Sequence, residues 1–517
     1  MNTGDPFRRG TTLNTLQALQ SKKCMKPKRK SDSLIVLRGR ESRPHGEAMS
    51  RKPIFLRKHK LHSVAVREPL FNERNDFFMV TGLERIAAKA RSEKNAQFTS
   101  LTHHITKERI LGNLKQIPKK TSVGTDGINR DDCMKYFLEN YESVLNSIHN
   151  KGYKAPPVRR VYIPKPGKSE KRPIDVPTIL DRALQRTVSE VLSNIYEQDF
   201  LNCSFGGRPQ KSAHNALCTL DNYIARTRVN WVYEADLKNF FGSLNHAWVL
   251  KFLEHRVKDP RIISLIRRWL KAGVWEEGEI KSSEVGTPQG GSISVLLSNI
   301  YLHYVLDLWF EKVVKPKMKG ECYLIRYLDD FIVLFQREDD LKRFVEVLPK
   351  RLSKFDLQLE PEKTKHFAFG RFEKDKAKLN NYKRKPVIKF LGFSIYTYFK
   401  IGKFVVEFKT ESKRLARSLQ KLKERLRLIK HIPLAAQAIE LSSILRGHFN
   451  YYGLGGNSES IKKFHHEAIK YWRKTLSDRS QNGRVKWERM DKYIELFSIP
   501  DAKLKIPYSK MSEYVLL

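Results

Sequence analysis

Apolar residues recur along the chain at two different spacings. From Thr178 onward, Leu180, Leu184, Val188, Val191 and Ile195 return every three or four positions, which predicts a helix with one apolar face. Ahead of it, Val158 to Ile163 reads as a short strand, and the Pro- and Gly-containing loop from Pro164 to Lys171 predicts a hairpin. WVYEADLKNFF (231–241) predicts a buried strand that ends in a carboxylate, and YLIRYLDDFIVLF (323–335) predicts two apolar strands joined at a charged tip. Between them VLLSNIYLHYVLDLWF predicts a helix with Leu297, Ile300, Tyr301, Tyr304 and Leu308 facing inward. IKFLGFSIYTYF and KFVVEFK form a further predicted hairpin, turned at Ile401–Gly402.

The flanks differ from this alternating centre. From about Asp76 to Asn150 the pattern is helical, interrupted by the glycine-containing loop SVGTDGINRDD. Beyond the second hairpin it is helical and basic, with Leu415, Leu419, Leu422, Leu426 and Ile429 as a seam among Lys413, Arg414, Arg417, Lys421, Arg425 and Lys430. The expected fold class is α+β, with strands and helices alternating around a mixed sheet. A chain of 517 residues exceeds what one core usually supports, so two or more subdomains are expected.

Charge narrows the function classes. Lys and Arg number 98 against 56 Asp and Glu, a formal net charge of +42, so the chain calls for a polyanionic partner, nucleic acid first. Charge alone leaves a merely basic, ribosome-associated protein equally open. The segment up to about Leu70, with the runs KKCMKPKRK, RGR and SRKPIFLRKHK, reads as a basic arm that contacts nucleic acid. Five scattered cysteines without a CxxC pair speak against a disulfide framework or a zinc ribbon, and the pairs His103–His104 and His465–His466 read as surface or packing residues. Val285 to Leu306 is the longest uncharged stretch, but Pro288, Gln289, Gly290, Gly291 and Asn299 exclude a membrane span. The N-terminus has no apolar secretory core, so an intracellular, cytoplasmic protein is expected.

Nucleotidyl transfer needs hard oxygen ligands for two divalent cations, one at the attacking hydroxyl and one at the triphosphate. Asp236 at a strand end and Asp329–Asp330 at a hairpin tip are the candidate metal ligands and catalytic groups, since one sheet can bring them together. A lone Asp-Asp is an ordinary turn in most proteins; its order after Asp236 is what carries the reading. Phe240 and Phe241 follow Asp236, and on a strand of period two only one ring can face inward, which favours one of the two rings lining the site. Gly286-Thr287-Pro288-Gln289-Gly290-Gly291-Ser292 is a flexible turn that lets backbone approach a nucleotide, with Gln289 as an amide donor and acceptor.

From about Asn95 to Trp487 the chain resembles group II intron-encoded reverse transcriptases, the maturase class. The residues that carry the resemblance are SVGTDGI, VRRVYIPKPGKSEKRPIDVPTILDRALQ, FGGRP, EADLKNFFGSLNH, GTPQGGSISVLLSNIYL, RYLDDFIVLF, LEPEKTK, IKFLGFSIY and ILRGHFNYYG. The resemblance implies a right-hand polymerase fold: a basic extension over 1–75, N-terminal helices and fingers over 76–230, an antiparallel-rich palm over 231–400, an α-helical thumb or domain X over 401–490, and a tail over 491–517. It implies Asp236, Asp329 and Asp330 as the metal-binding carboxylates, with two Mg²⁺ ions for which Mn²⁺ can substitute. Phe241 resembles the aromatic that excludes a ribose hydroxyl. Lys165 and Arg172, helped by Arg159, resemble the cations that grip the triphosphate, and Gln289 the residue at the nascent base pair. Leu391 and Gly392 match the primer-supporting turn, while Lys413, Arg417, Lys421 and Arg425 would hold the duplex backbone.

The implied function is RNA-directed DNA polymerisation on an RNA template and DNA primer with deoxynucleoside triphosphates, together with binding and splicing of a group II intron RNA. Three departures from the family pattern stand out: Leu328 where many members carry alanine, Gly242 where many carry aspartate, and no cysteine-rich endonuclease segment after domain X. Leu328 keeps open a free-standing enzyme of DNA repair or phage defence. A non-catalytic RNA-binding maturase is the reading from a different class.

Overall fold

The computed structural model describes residues 82–164, 169–281, 285–287, 290–372, 386–480 and 483–517. The expected basic arm, Lys165 and Gln289 lie outside the described residues. The N-terminal helices are α1 (Leu83–Ser92), α2 (Lys107–Gln116) and α3 (Arg130–His149). The predicted loop runs directly into α3, because the Asn129 side chain accepts from the Asp131 and Asp132 amides and so caps its N-terminus. After the hairpin β1 (Val158–Pro164) and β2 (Lys171–Val176) comes α4 (Ile179–Tyr196), which starts where the pattern predicts and is capped by the Thr178 side chain. Helix α5 (Ala213–Arg226) opens with a reciprocal cap between Ser212 and Asn215.

The chain continues through β3 (Trp231–Asp236), the short helices α6 (Phe240–Ser243) and α7 (His246–Leu253), α8 (Pro260–Leu270), and the pair β4 (Val274–Glu276) and β5 (Glu279–Lys281). Helix α9 (Ser294–Leu302) precedes the hairpin β6 (Cys322–Tyr327) and β7 (Asp330–Phe335), then α10 (Glu338–Ser353) and β8 (Lys365–Ala368). The last sheet is β9 (Ile388–Phe390), β10 (Phe393–Lys400) and β11 (Lys403–Thr410). Helices α11 (Ser412–Leu428), α12 (Leu434–Tyr452), α13 (Ser458–Ser477), α14 (Trp487–Leu496) and α15 (Tyr508–Met511) follow.

The strands form three sheets rather than one. The central one, in the order β6-β7-β3-β8, is antiparallel throughout. Its alternate residues enter two different cores: Tyr233, Phe331 and Val333 join one built with α4, α8 and α9, whereas Val232, Ile332 and Leu334 join one built with α5, β10 and α11 to α13. With both faces covered, its strands are apolar at nearly every position, which explains why they read as continuous runs. The second sheet, β2-β1-β4-β5, holds the parallel pairing, of β1 with β4. Strands β4 and β5, three residues each, are too short to leave a periodic signal. In the third sheet the β10–β11 turn at Ile401–Gly402 has the predicted place, with φ of 48° and 71°.

Two expectations fail locally. Phe240 and Phe241 do not continue β3; Asn239 takes a left-handed φ of 44° and starts the helical turn α6, so a period of two does not apply to them. Phe240 is nonetheless buried and Phe241 half-buried. The helix after 294 does not stay α-helical: His303–Asp307 and Phe310–Val314 are π-helical turns. Each π turn shifts the phase of the inward face, so Val305, Leu306 and Asp307 are buried while Tyr304 and Leu308 are only half-buried.

Candidate active site

Strand register brings the carboxylates together. Asp236, the last residue of β3, lies directly opposite Asp330, the first residue of β7, and Asp329 belongs to the two-residue turn between β6 and β7. Leu328, the first residue of that turn, has φ 58°, a position that hairpins of this kind usually give to glycine. A non-glycine residue there costs on the order of 1–2 kcal/mol, so the surroundings must hold the turn in place.

The electrostatics record the crowding. Burial, then the charge of Asp236, raises the Asp329 carboxyl above its ordinary range, with Lys363 and Arg172 opposing the shift. Burial followed by the charges of Asp236, Asp329 and Glu234 pushes Asp330 well above that range. The Asp236 carboxylate is ion-paired with the Lys363 ammonium. Among the described residues no three His, Cys, Asp or Glu side chains are drawn close enough to hold a metal ion in these positions. In chemistry the set nevertheless fits a hard cation: three carboxyl groups supply oxygen donors, and a divalent charge would relieve the repulsion that Asp329 and Asp330 experience.

Arg172 on β2 is exposed and lies within electrostatic reach of Asp329. Arg159 on β1 is instead engaged through its fork with the Val123 carbonyl, at 3.1 and 2.8 Å, and so braces the SVGTDGI loop. The backbone carbonyl of Phe241 accepts from the Thr287 amide at 2.7 Å, and the Gly286 amide donates to the Leu244 carbonyl at 2.8 Å. Gly286 has φ 93°, and a Cβ there would come within 3.0 Å of the Gly242 Cα, so glycine is required for this approach. The His246 ring closes the same junction on the Gly286 carbonyl at 2.6 Å. The glycine loop and the turn carrying Phe241 are thereby locked together.

Leu391 (φ 49°) and Gly392 (φ 83°) form the tight turn between β9 and β10, and the Tyr451 hydroxyl donates to the Leu391 carbonyl at 2.9 Å. This sheet is tied to the central one by Glu234, whose carboxylate accepts from the Lys389 amide at 2.7 Å and pairs with Lys365 at 2.8 Å. Lys413, Arg417, Lys421 and Arg425 are exposed along α11, opposite the buried Leu415, Leu422 and Leu426. Arg425 is ion-paired with Glu440.

Sequence reasoning missed Glu234, Lys363, and the buried Arg326 beneath the Asp-Asp turn. Lys363 lies within the quoted LEPEKTK, so a signal existed, but its pairing with a residue 127 positions earlier is visible only in three dimensions. Of the described residues, none lies in a helix long and apolar enough to cross a membrane.

Residues 163–395 match the family model for reverse transcriptase (RNA-dependent DNA polymerase). The group II intron-encoded protein LtrA of Lactococcus lactis is 34% identical over 231 residues, 44% of this chain and 38% of that protein. Protein YkfC of Escherichia coli K12 is 31% identical over 244 residues, 46% of this chain and 64% of that one. Nuclear intron maturase 3, mitochondrial, of Arabidopsis thaliana is 25% identical over 203 residues, 34% and 28% of the two chains. The chain thus spans less than two thirds of the length of each of these relatives. The match covers the three carboxylates, the glycine loop and the β9–β10 turn described above. Residues 163–395 are a reverse transcriptase domain, similar in sequence to the group II intron-encoded protein of Lactococcus lactis.

Proposed function

We propose that the whole chain is an RNA-directed DNA polymerase that extends a DNA primer along an RNA template and also binds a group II intron RNA to promote its splicing. The observation that carries this reading is the register of the central sheet, which sets Asp236 opposite Asp330 and beside the turn that holds Asp329. In this reading residues 76–230 supply the helices and fingers, 231–400 the palm, 401–490 the thumb or domain X, and 491–517 a C-terminal tail. The β10–β11 hairpin bridges the palm–thumb boundary.

Asp236 and Asp329 would hold the divalent ions, Mg²⁺ by preference and two in number, with Asp330 at their side. Bound there, the ions would acidify the primer 3′-hydroxyl and stabilise the charge that develops on the triphosphate. Arg172 orients the triphosphate oxygens with its fork. Phe241, fixed through its carbonyl to Thr287, presents its half-buried ring where a 2′-hydroxyl would project. The Leu391–Gly392 turn supports the primer end, and the cations of α11 grip the duplex backbone.

Primer extension on poly(rA) with oligo(dT) and Mg²⁺ tests the reading, wild type against Asp329→Ala. Wild type is expected to make DNA and the variant to lose at least ~1000-fold in rate, the scale of removing a principal electrostatic stabiliser. Purified wild type that binds template-primer but makes no DNA would leave the non-catalytic maturase as the better reading.

A further inference from the structure

Beneath the Asp-Asp turn lies a buried charge that no role above uses. Arg326, three residues before Asp329, is 0% exposed, as is its partner Asp307. All five guanidinium N–H groups are used. Nε and Nη2 donate to the two Asp307 oxygens at 2.7 and 2.6 Å, and Nη2 donates also to Ser204 Oγ at 2.7 Å. Nη1 donates to Asn299 Oδ1 at 3.0 Å and to the Leu328 carbonyl at 3.2 Å. That carbonyl belongs to the residue with the strained φ of 58°. The Asn299 amide in turn donates to the Gly206 carbonyl at 2.9 Å. Gly206 sits so close that a Cβ there would lie 2.7 Å from the Leu328 nitrogen. The Arg326 amide donates to the Cys203 carbonyl at 2.7 Å, and the Phe205 amide to the Arg326 carbonyl at 2.9 Å.

We infer that Arg326, held by Asp307 and Asn299, is a positioning residue that fixes the strained Leu328 carbonyl against the 203–207 loop and so sets where Asp329 stands. A buried ion pair is seldom more stabilising than apolar residues of the same volume, so stability alone gives little reason for one here. What an apolar pair lacks is a fork that meets a main-chain carbonyl, an amide and a carboxylate at once. Asp307 reaches the fork because it closes the π-helical turn His303–Asp307, and such turns recur where a helix must redirect a side chain for function. Lysine at 326 would keep the charge beside Asp307 but could not hold Leu328 and Asn299 together.

The inference rests on the polymerase reading, and the test separates the two. Arg326→Lys and Asn299→Ala are compared with wild type and Asp329→Ala in single-turnover extension, with thermal unfolding and template-primer binding measured alongside. Arg326→Lys is expected to lower the maximal single-turnover rate by ~10–100-fold, the scale of a misplacement near 1 Å, with nucleotide and template-primer affinity kept within about threefold. Asn299→Ala, which leaves the ion pair intact, is expected to show a smaller loss of the same kind. Should Arg326→Lys fail to fold, Asn299→Ala decides. A folded variant with the wild-type rate, or one that loses affinity in step with rate, overturns the positioning role. Wild type that makes no DNA overturns the polymerase reading instead.

Discussion

Asp181 illustrates how a single buried carboxyl marks the chain's response to pH. It accepts from the Tyr153 hydroxyl at 2.7 Å and from the Trp269 indole at 2.9 Å, yet burial pushes its pKa from 3.8 up to about 6. A carboxyl whose folded value lies above its unfolded one contributes stability that is complete below the unfolded value and is lost as pH rises through the folded one. The fold should therefore lose stability between about pH 4 and 6.5 through this group, by about 3 kcal/mol in total. Asp181→Asn keeps the acceptor and removes the titration. Its unfolding free energy relative to wild type is expected to rise across that window, measured by denaturant melts at several pH values; parallel curves would mean that Asp181 does not titrate there. Leu328 belongs to the same scale: its identity was plain in the sequence, but its strain and the carbonyl bond that holds it were not.

At the level of elements, much of the site was legible and the reasons are specific. Strand β3 and the β6–β7 hairpin were readable because their apolar runs meet carboxylates, and α4 because Leu184, Val188, Val191 and Ile195 recur at helical spacing. The π turn at His303–Asp307 was not, because the bond that Arg326 donates to Asp307 is tertiary and leaves no mark in the local pattern. The same limit hid α6, where a left-handed Asn239 ends the strand early. Phe241 is half-buried all the same, and its main-chain lock to Thr287 gives a clear expectation. Phe241→Ala should fold, keep deoxynucleotide incorporation within about tenfold, and extend primers with ribonucleotides supplied alone, read on denaturing gels. Continued exclusion of ribonucleotides would return the ring to a packing role.

Across the whole molecule the excess of cations dominates. A net charge of +42 predicts template-primer binding whose log affinity falls linearly with log salt. Lys413, Arg417 and Lys421 stand exposed on one helix, and neutralising all three is expected to lower the slope by roughly one for each phosphate that they pair with. Fluorescence anisotropy across a salt series measures it, and an unchanged slope would move the duplex-binding surface elsewhere. Arg425 is left out of that set because Glu440 already neutralises it.

The two-faced burial of the central sheet has an evolutionary consequence. Strands β3 and β7 expose no solvent side on which substitutions could accumulate harmlessly, since their apolar residues are interior to one core or the other. The strand ends offer no more room where the turn at 328–329 meets the loop at 203–207, because a Cβ at Gly206 would lie 2.7 Å from the Leu328 nitrogen. A lineage or a protein engineer could therefore alter these strands only through paired apolar exchanges that conserve core volume.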